Sequence, residues 1–230
     1  EVAYLAGRHE EAFRLASGVI AELRKLKVPE KRDTLIGFNI LRRQSMGVAA
    51  LSGLRTGHAA DAEALARERL TLPLSPMDPT DPRYDQARSR LVIAHAQFLQ
   101  GQPVAARASL DEARAILSPI IEQGGQGLTL TREVAYGLYL DASLRTRGDP
   151  QRAGKLAEAA RLLLDNGADP NLLSGDGRTP LDVADANGAT GVAALIEERG
   201  GGRAPAHKKL PAASPLESFE HVAGDLLEAY

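Results

Sequence analysis

Hydrophobic positions along this 230-residue chain recur every three to four residues over long stretches, which is the period of an amphipathic α-helix. Gly and Pro residues interrupt these stretches, and Pro103 and Pro150 fall where a helix begins and no backbone donor is needed. The pattern predicts helices over residues 8–26, 31–54, 59–70, 83–100, 103–121, 130–146, 150–166, 179–187, 190–198 and 215–229. Abundant Ala, Leu and Arg with few aromatic residues also favour packed helices over sheet, so an all-α fold is expected.

A second pattern repeats across the first two thirds of the chain. Each predicted turn carries a Gly, followed five residues later by an Ala and then by small or apolar residues nine and twelve positions after the Gly. Small side chains on one helix face let two antiparallel helices approach closely, so each such segment predicts a helical hairpin. The four sets are Gly7 with Ala12, Ala16 and Val19; Gly57 with Ala62 and Ala66; Gly101 with Ala106, Leu110 and Ala113; and Gly148 with Ala153, Ala157 and Ala160.

The third set is the clearest, with residues 99–113 reading Leu-Gln-Gly-Gln-Pro-Val-Ala-Ala-Arg-Ala-Ser-Leu-Asp-Glu-Ala. It resembles the tetratricopeptide repeat. The spacing departs from that family, because the four Gly residues lie 50, 44 and 47 positions apart, against about 34 in the family. Asp141 also stands where the family prefers a small residue. The resemblance implies a solenoid of antiparallel hairpins, and an unrelated helical bundle is the alternative.

A different motif follows. Residues 162–171 read Leu-Leu-Leu-Asp-Asn-Gly-Ala-Asp-Pro-Asn and end an apolar helical stripe, with Gly167 where a helix end tolerates positive φ. Downstream, Thr179 can cap the next helix and Pro180 suits its first turn. Gly167 and Gly200 are 33 residues apart, the period of an ankyrin repeat.

This stretch resembles the junction between two ankyrin repeats and implies about one and a half such repeats. Asp182 stands where the family usually has His, which puts the customary hydrogen bond of the turn in doubt. Because the helix predicted at 150–166 fits both repeat patterns, we expect one continuous α-solenoid that changes repeat type near residue 155.

The predicted organisation is therefore a tetratricopeptide-like region over residues 1–155, an ankyrin-like region over 156–202, and a linker with a C-terminal amphipathic helix over 203–230. One face of that last helix is apolar, through Leu216, Phe219, Val222, Ala223, Leu226, Leu227 and Tyr230. We expect it to cap the end of the solenoid; packing back on the solenoid or starting a further domain are the alternatives.

Composition and charge narrow the function classes. The formal net charge of −2 gives no basic field for nucleic acid, and no apolar run approaches the length of a membrane span. The absence of cysteine excludes disulfides and thiolate metal sites and fits a reducing compartment, so a cytoplasmic protein is expected. Long helical repeats of this kind resemble sensor and scaffold regions of bacterial signalling proteins.

Residues that could carry catalysis form no convincing set. No His is paired in a metal-binding spacing such as HExxH, and no phosphate-binding loop is present, so neither cofactor nor metal is expected. Pro73, Pro76, Pro79 and Pro82 recur every third residue and could form a polyproline II ligand, but a stiff connection is favoured. Asp78, Asp81 and Asp85 are interpreted as a solvated acidic turn, with a calcium site as the alternative.

The tetratricopeptide resemblance implies that the first helices of successive hairpins line a concave groove that binds a peptide or partner helix. On this sequence the matching positions are Gln44, Leu51, Arg55, Arg88, Leu91, His95, Phe98, Leu138 and Arg145. Their arginines favour acidic or mixed amphipathic segments. A non-enzymatic interaction scaffold is therefore expected. The alternatives are the sensing or autoregulatory region of a larger bacterial signalling kinase or transcription regulator, and a small-molecule enzyme built on helical repeats.

Overall fold

The computed structural model describes residues 2–5, 7–73, 82–125, 127–146, 149–173, 177–186 and 188–204. Within these ranges all regular secondary structure is helical, which confirms the all-α fold class. The helices are α1 (Val2–Leu5), α2 (His9–Lys25), α3 (Arg32–Arg55), α4 (Ala59–Thr71), α5 (Pro82–Leu99), α6 (Pro103–Glu122), α7 (Leu128–Ser143), α8 (Pro150–Asp165), α9 (Pro180–Ala186) and α10 (Thr190–Glu198). The two repeat types and the hairpin arrangement stay predictions.

The boundaries predicted for α2 to α10 agree with the observed ones to within three residues, and α1 has no counterpart among the predicted helices. Four helices begin at a proline, namely α5, α6, α8 and α9, and the backbone at Gly7, Gly57 and Gly101 has positive φ angles of 68°, 82° and 73°. These glycines turn the chain where most L-residues would be strained. Pro76, Pro79 and the helix predicted at 215–229 lie outside the described residues.

The chain divides into two compact units, Glu1–Ile120 and Ile121–Tyr230. In the first unit, helices that follow one another in sequence pack together from α1 to α5, and α3 also contacts α5. Hydrogen bonds join α6 to α5, because Ser109 Oγ donates to Gln97 Oε1 at 2.9 Å and Arg90 Nε donates to Glu112 Oε2 at 3.0 Å.

The small residues of the repeated pattern form much of the core of the first unit. Those that are buried there are Ala12, Ala16, Ala62, Ala66, Ala106, Leu110 and Ala113. Two members of the pattern are exposed instead: Val19, at the edge of the buried face of α2, and Ala153, in the open first turn of α8. Close helix contact is visible at Gly53, where an added Cβ would lie 3.1 Å from Phe13 Cε2.

In the second unit, α8 packs between α7 and α10, and α9 contacts α10. Apolar residues of these four helices and of the turn after α8 form one core, made of Ala135, Leu138, Ala159, Ala160, Leu163, Leu164, Ala168, Leu181, Val183, Ala184, Val192, Ala193 and Ile196. α8 ends in the glycine-containing turn that the sequence predicts. Gly167 has φ 95°, its N–H bonds to Leu164 O at 3.1 Å, and Ala168 N–H bonds to Leu163 O at 3.1 Å.

Candidate partner-binding surface

A continuous open stripe runs along α3. Its residues follow one another at steps of three and four, the spacing of a single helix face: Thr34, Gly37, Leu41, Gln44, Val48, Leu51 and Arg55. The first four are exposed and the last three are partly exposed, with 47% of Leu41 accessible to solvent. The other side of the helix is fully buried at Met46 and Ala49. Predicted Gln44, Leu51 and Arg55 therefore share one accessible face.

α5 has an equivalent stripe that is much less open. At the same spacing it carries Tyr84, Arg88, Leu91, His95 and Phe98. Arg88 and Phe98 are partly exposed, whereas Leu91 is fully buried and His95 is 9% exposed. α5 is enclosed because α3, α4 and α6 all contact it. Of the four positions predicted on this helix, Arg88 and Phe98 are accessible to a partner.

His95 and Arg55 lie near each other across the two helices. Burial, with a further contribution from the positive charge of Arg55, lowers the pKa of His95 to about 3. α3 and α5 also contact each other, which agrees with Arg55, the last residue of α3, lying near the C-terminal part of α5 that carries His95. The imidazole is neutral at neutral pH, and His95 therefore contributes packing and hydrogen bonding but no charge.

Positive charge in the first unit is concentrated on these same two helices. α3 and α5 together carry seven Arg and two Asp, a formal net charge of +5. The helices packed around them, α2, α4 and α6, carry nine acidic and seven basic residues, a net charge of −2. Arg42, Arg43 and Arg90 pair with Glu68, Asp85 and Glu112, so the positive charge on the two stripes comes from Arg55 and Arg88.

Some of these arginines also join α3 to the neighbouring helices α4 and α5. Arg43 Nη1 donates a hydrogen bond of 2.8 Å to Leu72 O at the end of α4. Arg43 and Arg69 both form ion pairs with Asp85. Arg42 Nη2 lies 2.6 Å from Glu68 Oε1. Asp85 is thus partly buried between two guanidinium groups, which corrects its interpretation as part of a solvated acidic turn.

A second polar network, which the sequence did not indicate, joins α4 to α5 and α6. Glu63 accepts hydrogen bonds from Arg67, from Gln97 Nε2 at 3.1 Å and from Gln100 Nε2 at 2.8 Å. Burial raises the pKa of Glu63, but these hydrogen bonds and the charge of Arg67 outweigh that effect and hold the pKa below its usual value. Since Gln97 also accepts from Ser109, the network fixes the end of α5 that carries Phe98.

The two predicted residues of the second unit are engaged within it. Leu138 is 8% exposed and belongs to the core of that unit. Arg145 joins the end of α7 to the start of α8, because its Nη1 lies 2.9 Å from Asp149 Oδ2 and its Nε lies 3.2 Å from Asp141 Oδ1. The hydrogen bond to Asp149, together with the interactions with Asp141, raises the pKa of Arg145, although desolvation opposes this shift. Asp141, where the tetratricopeptide family prefers a small residue, is buried and serves this ion pair.

Asp182 stands in the turn before α9, at the position where the ankyrin resemblance leads us to expect a His, and its carboxylate accepts hydrogen bonds there. Its Oδ2 accepts from Thr179 N at 2.8 Å, from Thr179 Oγ1 at 2.9 Å and from Ala204 N at 3.0 Å, while Thr179 Oγ1 accepts from Asp182 N at 3.2 Å. This reciprocal arrangement caps α9. Burial raises the pKa of Asp182, but the hydrogen bonds and the charge of Arg203 together keep it lowered.

The segment after α10 is held against the same turn. Asn171 Nδ2 donates to Gly200 O at 3.1 Å, and Gly202 N donates to Asn171 Oδ1 at 2.8 Å. Arg203 Nη2 lies 2.6 Å from Asp185 Oδ2. The turn around Asn171 is therefore tied to the chain that follows α10.

No protein-family model, curated protein or solved structure matches this chain. Among the described residues, no group of three or more His, Cys, Asp or Glu side chains is placed to hold a metal ion. No helix in that part of the chain is both long enough and apolar enough to cross a bilayer. The accessible stripe of α3, together with Arg88 and Phe98, is named the α3–α5 face, and it is the candidate partner-binding surface.

Proposed function

We propose that this chain is a protein-interaction scaffold that binds an amphipathic peptide or partner helix on the α3–α5 face. The observation that carries the proposal is the stripe on α3, where Leu41, Val48 and Leu51 stay accessible on one side of a 24-residue helix. An amphipathic helix binds by laying residues at three- and four-residue spacing along such a face. The tetratricopeptide resemblance supports the same face.

The charge of the two helices supports a ligand with acidic flanks. Arg55 and Arg88 belong to helices with a net charge of +5, and guanidinium groups bind carboxylates through two parallel hydrogen bonds. Complementary charge mainly accelerates encounter and selects among partners, whereas the apolar contacts slow dissociation. We therefore expect acidic amphipathic helices to bind better than neutral or basic helices of the same apolar pattern.

The proposal is tested with a panel of synthetic amphipathic helices that share one apolar face and differ in flanking charge. Binding to the full chain is measured by fluorescence anisotropy. Leu41→Asp places a charge in the middle of the stripe, and we expect it to weaken the acidic helices about tenfold or more. Gln44→Glu, at an exposed position beside it, should weaken the acidic helices and leave neutral ones nearly unchanged.

Leu15→Asp on α2 is a matched control, since Leu15 is 49% exposed and Leu41 is 47% exposed. It should leave binding unchanged. Equal affinity of wild type and Leu41→Asp for every helix in the panel would refute the proposed face. Loss of binding in Leu15→Asp alone would move the interaction surface to α2.

A further inference from the structure

α2 has one buried side and one open side. α3 packs against α2, and the buried residues of α2 are Ala12, Ala16, Ile20 and Leu23. At 100° per residue, six exposed residues lie on the opposite side within an arc of about 120° centred on Gly18. These six residues are named the outer face of α2: Arg14, Leu15, Gly18, Ala21, Glu22 and Lys25.

The glycine at the centre of the outer face is not required by contacts within its own chain. A Cβ added at Gly18 would meet no atom within 4 Å. A Gly inside a helix costs about 0.5–1 kcal/mol relative to Ala, so α2 gains no stability from this residue. A helix surface without a side chain does allow the backbone of a second helix to approach closely from outside.

The charges of α2 are arranged with opposite signs on either side of Gly18. Arg14 lies four residues before Gly18 and Glu22 lies four residues after it, whereas Glu11 and Lys25 lie seven residues before and after. Glu22 pairs with Lys25 within the helix, but both side chains are about 70% exposed and stay accessible to a partner.

This order of charges selects a second copy of the same helix in the antiparallel direction. When two copies of α2 cross at Gly18 in opposite directions, Arg14 of each copy comes to the level of Glu22 of the other. Glu11 comes to the level of Lys25 in the same way. A parallel pair would bring each charge to the level of its own kind, and like charges disfavour that arrangement.

The same two-fold arrangement brings apolar side chains together. Leu15 and Val19 are exposed and lie on one side of Gly18 around the helix, so the two-fold axis places both copies of this pair on the same side of the crossing point. A contact made by one helix from each copy is smaller than the roughly 800 Å² per partner of stable interfaces. The association is therefore weak and reversible.

We propose that the outer face of α2 is a self-association surface, on which a second copy of this chain packs its own α2 in the antiparallel direction. The two Gly18 residues lie at the crossing point. Leu15 and Val19 of both copies form the apolar contact, and the Arg14–Glu22 pairs fix the direction. This surface is separate from the α3–α5 face, so the inference does not depend on the proposed function.

The test is sedimentation equilibrium of the full chain at concentrations from about 5 µM to about 500 µM, the range in which small interfaces associate. The weight-average mass should rise from that of one chain towards that of two. Gly18→Leu should weaken the association about tenfold or more, because the new side chain separates the two helices at the crossing point. Gly37→Leu, at an exposed glycine of α3 that also has no atom within 4 Å of an added Cβ, should leave the association unchanged.

Both variants should melt at or above the temperature of the wild type, since Leu favours a helix more than Gly does. A weakened dimer in Gly18→Leu therefore cannot be ascribed to unfolding. A chain that stays monomeric throughout the range, or a dimer that Gly18→Leu does not weaken, would overturn the inference.

Charge reversal tests the antiparallel direction. Arg14→Glu alone and Glu22→Arg alone should each weaken the association severalfold, because each brings like charges to the same level. The double variant Arg14→Glu with Glu22→Arg restores opposite charges and should recover most of the wild-type affinity. Failure of the double variant to recover it would exclude the antiparallel arrangement and overturn the inference.

The peptide assay keeps this result apart from the proposed function. Leu15→Asp should abolish self-association and leave the binding of acidic helices unchanged, whereas Leu41→Asp should do the reverse. If Leu41→Asp dissociates the dimer and Leu15→Asp does not, the chain associates through the α3–α5 face and the inference fails. If neither variant affects peptide binding but Leu15→Asp dissociates the dimer, the proposed function fails and the inference stands.

Discussion

Acidification should destabilise the first unit through His95. The side chain is 9% exposed on α5, and burial, with a further contribution from Arg55, lowers its pKa to about 3. In the unfolded chain the pKa of His is about 6.5. Below that value the unfolded chain binds a proton that the folded chain does not, so folding becomes less favourable as the pH falls. The effect stops growing only near pH 3, where the folded imidazole also takes a proton.

The size of the effect follows from the difference in pKa. Each pH unit below the unfolded value costs about 1.4 kcal/mol while the folded side chain stays neutral. Between pH 7.5 and pH 5.0 the cost from His95 is therefore about 2 kcal/mol. Domains of this size have unfolding free energies of about 5–15 kcal/mol, so the change is large enough to measure.

The assay is urea unfolding followed by circular dichroism at pH 7.5 and pH 5.0, for wild type and His95→Leu. Leu does not titrate, and the comparison uses the change of the unfolding free energy with pH and not the absolute stability. The other histidines and the carboxyl groups are common to both proteins and cancel. Wild type should lose about 2 kcal/mol more than the variant on acidification. An equal loss in both proteins would refute the assignment of His95 as a buried neutral side chain.

Four further substitutions test the packing and the turns. Asp182→Ala should lower the unfolding free energy of the second unit by about 2–3 kcal/mol at pH 7, since the backbone N–H groups of Thr179 and Ala204 lose their acceptor. Because the pKa of Asp182 is lowered in the folded state, the difference in unfolding free energy from wild type should shrink as the pH falls through the acid range below 3.8. Gly53→Ala should destabilise the chain by about 1–2 kcal/mol in thermal unfolding, because the new Cβ lies 3.1 Å from Phe13 Cε2 and 3.3 Å from His58 O. Gly37→Ala, whose Cβ would have no atom within 4 Å, should instead stabilise α3 by about 0.5–1 kcal/mol in the same measurement. Asn171→Ala should speed hydrogen exchange at the Gly202 amide about tenfold and leave the amides of α7 unchanged, as measured by nuclear magnetic resonance. A stable Asp182→Ala chain, a neutral Gly53→Ala or an unchanged Gly202 rate would each refute the corresponding contact.

Local chemistry made the helix boundaries predictable. A Pro at the first helical position, with Asp149 accepting from Gln151 N at 2.8 Å, starts α8, and Gly167 ends it with two backbone hydrogen bonds. Thr179 and Pro180 start α9 in the same way. Signals of this kind involve residues within a few positions of one another, so the sequence shows them directly.

The candidate face was only partly predictable, because burial depends on neighbours distant in sequence. The stripe on α5 has the same spacing as the stripe on α3, yet Leu91 and His95 are buried since α5 is enclosed by three helices. The ion pair of Arg43 with Asp85 and the hydrogen bond of Gln97 to Glu63 join residues more than thirty positions apart. Periodicity places a residue on a helix face, but only the fold decides what covers that face.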